Sequence, residues 1–187
     1  ITNCIFENCG VHGTQDTIGG ANNINAIIAF NKFVEPNGTA IDNIHVKNAL
    51  WAYNVVKSKT VTVSHQNCIW SDFGMTDSRI IGNWIENGSI HCFGNQSSPY
   101  FMGTKNVLIA NNHIENGDIL VSPANALITD FYRASGIRII GNIINGCVGS
   151  GISIRDCPTA VIANNIIDYW DSGLTGEPAI ILYGGPN

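Results

Sequence analysis

The chain has 187 residues, 44% of them apolar and only 12% charged, with a formal net charge of −5 and a pI near 5.4. Globular domains usually carry roughly 25% charged residues, so this surface is built mostly from uncharged polar groups. An acidic chain without a basic patch argues against nucleic acid as a partner. The absence of any apolar run of ~18 residues argues against a membrane-spanning helix.

In chain order the elements are short. Ile1-Thr2-Asn3 reads as a strand entering a turn. From there one triplet recurs: an Asn, any residue, then a large apolar residue. It stands at Asn3-Ile5, Asn31-Phe33, Asn48-Leu50, Asn67-Ile69, Asn83-Ile85, Asn112-Ile114, Asn142-Ile144 and Asn165-Ile167, with successive Asn residues 16 to 30 apart. A period of this size means one supersecondary unit stacked many times. The clearest unit runs from Asn142 to Asn165. It holds Gly151-Ile152-Ser153-Ile154 and Ala160-Val161-Ile162, separated by Gly, Asp, Pro and Asn. Alternation over four or five residues, broken by turn chemistry, predicts short strands. No segment keeps a helical apolar period for long, and the unit is too short for a βαβ crossover, which takes roughly 30 residues or more.

The expected fold is therefore all-β: a parallel β-helix of about eight coils with no substantial helix. It forms a single domain over residues 1–187. Ile28, Ile80, Ile109, Ile139 and Ile162, three residues before the Asn, predict one aliphatic column inside the solenoid; the residues two after the Asn predict another. The Asn itself reads as a turn residue in left-handed backbone, with amides bonding from coil to coil. Neither end shows a polar cap, so the chain reads as a segment of a longer protein. Cys92 aligns with Val121 and Ile154 and reads as a small buried hydrophobe. Cys147 and Cys157 are a candidate disulfide within one coil. The Cys residues form no C-x-x-C pair and the His residues no metal constellation, so no metal site is expected.

The pattern V-x-I-x-N-N-x-I followed by G-I-x-I is carried by Val107 to Ile114, Gly136 to Ile144, Gly151 to Ile154 and Ala160 to Ile167. It resembles the right-handed parallel β-helix repeat of the pectin-lyase-like superfamily. The resemblance implies a polysaccharide as partner and, for most characterised members, a polysaccharide as substrate. Pectic-enzyme signatures are absent: no N-T-D with a following D-D, no G-H-G, and Gly136-Ile137-Arg138-Ile139-Ile140 in place of an R-I-K triplet. The chain is in this respect most similar to bacteriophage tailspike depolymerases. That implies a homotrimer, on a virion tail or otherwise extracellular, cleaving bacterial surface glycans by hydrolysis or β-elimination. The alternatives are a non-catalytic structural or receptor-binding shaft and a secreted polysaccharide lyase, for which Ca²⁺ would be the cofactor.

Candidate site residues follow from coil position. Trp51 and Trp70 align with Glu86, Glu115 and Asp168. Stacking predicts Glu86 and Glu115 about 5 Å apart, and Glu115 and Asp168 about 10 Å apart. Those separations suit general acid–base chemistry on a glycosidic bond; solvation of an outer turn is the plainer reading. Asp130, Tyr132 and Arg133 lie in a long loop, with Arg155 one coil on. A carboxylate beside an Arg suits a uronic or sialic acid, or lyase chemistry. Arg79 and Arg138 share a column and could hold sugar carboxylates. Trp70 and Trp170 are candidate sugar platforms.

Overall fold

The computed structural model describes residues 1–9, 11–12, 23–36, 39–58, 67–94, 103–122, 134–147, 149–168 and 176–184. These form a parallel β-helix whose strands stack into three sheets. Sheet I contains Ile27–Ala29, Leu50–Ala52, Arg79–Ile81, Leu108–Ala110, Arg138–Ile140 and Val161–Ala163. Sheet II contains Ile5–Glu7, Lys32–Val34, Val55–Lys57, Trp84–Glu86, His113–Glu115, Ile143–Asn145 and Ile166–Asp168. Sheet III contains Ile41–Lys47, Asn67–Thr76, Ser89–Phe93, Ile119–Ser122, Ile152–Arg155 and Ile180–Tyr183, with Val11–His12 and Asn23–Ile24 both paired to Ile41–Lys47. Each regular coil runs sheet I, tight corner, sheet II, tight corner, sheet III.

The strands of sheets I and II are three residues long because a three-residue strand between corners presents its middle side chain inward and the outer two outward. The middle residues form the core columns. In sheet I these are Ile28, Trp51, Ile80, Ile109, Ile139 and Ile162. In sheet II they are Phe6, Phe33, Val56, Ile85, Ile114, Ile144 and Ile167. Sheet III contributes Ile41, Ile69, Ile90, Ile119 and Ile152. Most are completely buried. Burial of one such side chain stabilises by about 1.5–3 kcal/mol, and no coil can achieve it without its neighbours.

The corner between sheets I and II carries the expected coil-to-coil Asn amide ladder, but its left-handed residue is not the Asn. The left-handed residue is the one before the ladder Asn: Phe30, Tyr53, Gly82, Asn111, Gly141 and Asn164 all have φ between 55° and 68°. The Asn that follows turns its amide inward. It makes a continuous ladder through Asn31, Asn54, Asn83, Asn112, Asn142 and Asn165, in which the Oδ1 of every Asn after the first accepts both the backbone N–H and the Nδ2–H of the Asn one coil before. Consecutive ladder Asn residues lie 23, 29, 29, 30 and 23 apart.

That ladder corrects the coil register. Asn54 belongs to it, while Asn48 is a left-handed residue at the corner preceding sheet I and Asn67 begins a sheet III strand. Asn3 stands one residue early, and Cys4 occupies the ladder position, its N–H donating to Asn31 Oδ1 at 3.0 Å. The apparent coils of 16 to 19 residues disappear, and among the described residues sheet II holds seven strands, against about eight coils expected.

Cys92 lies in register with Val121, and Val121 with Ile154, and Cys92 is completely buried. Cys147 and Cys157 are free thiols, not a disulfide. Burial pushes the Cys92 thiol up from 9.0 to about 12. Between those two values an unfolded chain has released this proton and the folded chain retains it, so folding stability falls as pH rises through that window. The expected slope from this group is about 1.4 kcal/mol per pH unit. Cys92→Val, which continues the aliphatic column, removes this component. Urea unfolding of both proteins at pH 8 and pH 10 measures it; equal pH losses in the two would contradict the assignment.

Candidate functional site

Two outward faces gather chemistry-bearing side chains. The first is sheet II. Its last outward position runs Glu7, Val34, Lys57, Glu86, Glu115, Asn145 and Asp168 in strict register. Glu86 and Glu115 are therefore on adjacent parallel strands, which lie about 4.8 Å apart. Asp168 is two strands beyond Glu115, with Asn145 between. Lys57 Nζ stands 3.3 Å from Glu86 Oε2, and His113 Nε2 stands 3.1 Å from Glu115 Oε1. On the other outward column of the same strands, Trp84 stacks on His113 with ring centroids 4.0 Å apart and planes within 5°. Trp84 remains 42% exposed. Two carboxylates, a cation, an imidazole and an indole thus share a patch three strands wide.

The second face is sheet III. Asp42, Trp70, His91, Leu120 and Ser153 form one outward column. Trp70 packs on Phe93 at 5.0 Å and on His91 at 5.9 Å between centroids. His91 Nε2 lies 3.0 Å from Asp118 Oδ1, and its Nδ1 is buried without a hydrogen-bond partner. A His held by a carboxylate is a proton-transfer pair in principle, but this one is only 15% exposed. At the far edge Arg155 sits over the Tyr183 ring, 4.9 Å from its centroid.

These placements separate residues that the sequence had put together. Trp51 points into the core from sheet I, in register with Ile28 and Ile80, and is fully buried. Trp70 belongs to sheet III, not to the Glu86 column. The error has a single cause, the short coils inferred between Asn31 and Asn83. Glu86, Glu115, Asn145 and Asp168 do form the expected column. Arg79 and Arg138 do share one, with Leu108 between them. Asp130, Tyr132, Arg133 and Trp170 lie outside the described residues. His91, Phe93 and Asp118 had not been singled out; the alternation Ile90-His91-Cys92-Phe93, with Cys92 inward, already places His91 and Phe93 on the outer face. Among the described residues no group of three or more His, Cys, Asp or Glu is positioned to hold a metal ion. Among the described residues no helix is long and apolar enough to cross a membrane.

A family model described as a right-handed beta helix region matches residues 33–175, well over half of the chain. The chain belongs to that family, which gives the parallel solenoid its right-handed sense. No curated protein and no solved structure matches it.

Proposed function

We propose that this β-helix is a polysaccharide-binding and polysaccharide-cleaving domain, with Glu86 and Glu115 as its catalytic carboxylates. The observation that carries the reading is their in-register placement on adjacent strands. Retaining glycosidases hold their two carboxyl groups ~5–5.5 Å apart, close to one strand spacing of about 4.8 Å. Lys57 Nζ, 3.3 Å from Glu86 Oε2, orients that carboxylate on the outer face, as a nucleophile requires. His113 beside Glu115 gives that carboxyl a neighbour with which to exchange a proton, as an acid/base requires. Asp168, two coils away, is too far for the pair and serves the sugar fringe. The wider setting we attach to this reading is a tailspike-like trimer acting on bacterial surface glycans.

One observation favours a second reading. Outward side chains satisfy one another from coil to coil: Lys57 with Glu86, Trp84 with His113, and Phe30 stacked on Tyr53 at 5.2 Å. Such ladders suit a non-catalytic shaft. The discriminating experiment incubates the protein with a panel of capsular and O-antigen polysaccharides. It follows both reducing ends and the ultraviolet absorbance of new unsaturated ends. Reducing ends alone support hydrolysis by the Glu pair. Reducing ends with absorbance mean β-elimination and overturn it. Binding without release supports the shaft.

A further inference from the structure

A groove of about 540 Å³ runs along the outside of sheet I. One wall is the corner preceding the sheet, where Asp77, Asn106 and Gly136 all have left-handed backbone. The other is the outward column Arg79, Leu108, Arg138 and Val161. We propose that this groove binds an acidic polysaccharide lying along the solenoid axis, with carboxylates of alternate sugars held by Arg79 and Arg138. The inference rests on the glycan reading above and adds a glycan-holding groove on a different sheet from Glu86 and Glu115, with the class of polymer it takes.

Four features support it. The groove spans four successive coils, so it is elongated along the axis, as a linear polymer needs. Two of the chain's four Arg residues stand in it, although the chain is acidic overall. Both are exposed and neither has an ion-pair partner among the described residues. A planar guanidinium in that state is a bidentate carboxylate receptor. The acid that lines the groove, Asp77, already accepts a hydrogen bond from Asn106 Nδ2 at 3.0 Å.

The spacing sets the charge pattern. Arg79 and Arg138 are two strands apart, about 10 Å, and an extended pyranose chain advances by about one strand spacing per sugar. Leu108 stands midway and would desolvate an intermediate carboxylate without pairing it, which disfavours charge on every sugar. The same leucine offers an apolar surface to the neutral sugar between. Gly136 keeps the corner low: a Cβ there would meet Asn106 Oδ1 at 2.5 Å.

The test is titration calorimetry with four probes: an oligosaccharide of hyaluronan, which carries a carboxylate on every second sugar; an oligogalacturonate, with one on every sugar; a neutral dextran oligosaccharide; and free glucuronate. The proteins are the wild type, Arg79→Gln, Arg138→Gln and Trp84→Ala. The expected result is hyaluronan bound roughly tenfold tighter than the other three, with each Arg substitution weakening it roughly tenfold and added salt weakening the wild type. Oligogalacturonate bound as tightly as hyaluronan overturns the alternate spacing. Glycan binding that ignores both Arg substitutions but is lost in Trp84→Ala overturns this groove and leaves the sheet II reading standing. No binding of any probe, by any of the proteins, goes against both.

Discussion

Asn112→Ala lowers the free energy of unfolding by about 3–5 kcal/mol, measured by urea denaturation. The Asn112 side chain is buried and fully engaged. Its Nδ2 donates to the Ile80 carbonyl at 3.0 Å and to Asn142 Oδ1 at 2.9 Å. Its Oδ1 accepts from the Asn83 backbone N–H at 3.0 Å and from Asn83 Nδ2 at 2.9 Å. Alanine leaves the buried Asn83 N–H without its acceptor, at about 1–3 kcal/mol, and removes the bonds that Asn112 Nδ2 makes to the Ile80 carbonyl and Asn142 Oδ1, at about 0.5–1.5 kcal/mol each. It also breaks the ladder in its middle, so the cost extends to neighbouring coils. Asn145→Ala is the matched control. Asn145 faces outward on sheet II, and the expected change is within about 0.5 kcal/mol. Similar losses in the two variants would show that the ladder contributes nothing beyond an ordinary Asn.

The second large effect is on activity. Glu86→Gln and Glu115→Gln each lower kcat for glycan cleavage by about 10²–10⁴-fold, with KM little changed. Glutamine keeps the shape of either side chain and removes only the charge or the transferable proton. The two variants should also differ in kind. Loss of a nucleophile at Glu86 abolishes the glycosyl-enzyme, whereas loss of the acid/base at Glu115 spares substrates with good leaving groups. Asp168→Asn leaves kcat near the wild-type value. Wild-type turnover in both Glu variants would remove the sheet II patch from the mechanism.

Much of the solenoid was legible because its core is a period-two pattern read against short turns. Ile80, Ile109, Ile139 and Ile162 could be stacked from sequence because their coils are regular, with ladder Asn residues 29, 30 and 23 apart. The Glu86–Glu115–Asn145–Asp168 column was legible for the same reason. The register between Asn31 and Asn83 was not. Asn48 and Asn67 both fit an Asn-x-apolar triplet, but their neighbours place them at other corners and strands. The true ladder residue, Asn54, is followed two positions on by Val56, smaller than its counterparts elsewhere in the column. That misregister put Trp51 and Trp70 on the wrong faces. His91 and Asp118 come together only because sheet III pairs residues one coil apart. Such a contact leaves no short motif in the chain. The Arg79 and Arg138 column was legible, but the groove beside it depends on how the preceding corner sits, which periodicity does not encode.

The account turns on the one-strand separation of Glu86 and Glu115, and the stereochemistry of cleavage reads that separation directly. The measurement is proton NMR of the first reducing ends released from a susceptible polysaccharide by the protein, before mutarotation. Carboxyl groups one strand spacing apart predict the anomeric configuration of the cleaved bond retained. Inverted anomers require carboxyl groups ~6.5–9.5 Å apart, and they or unsaturated ends would contradict the assignment.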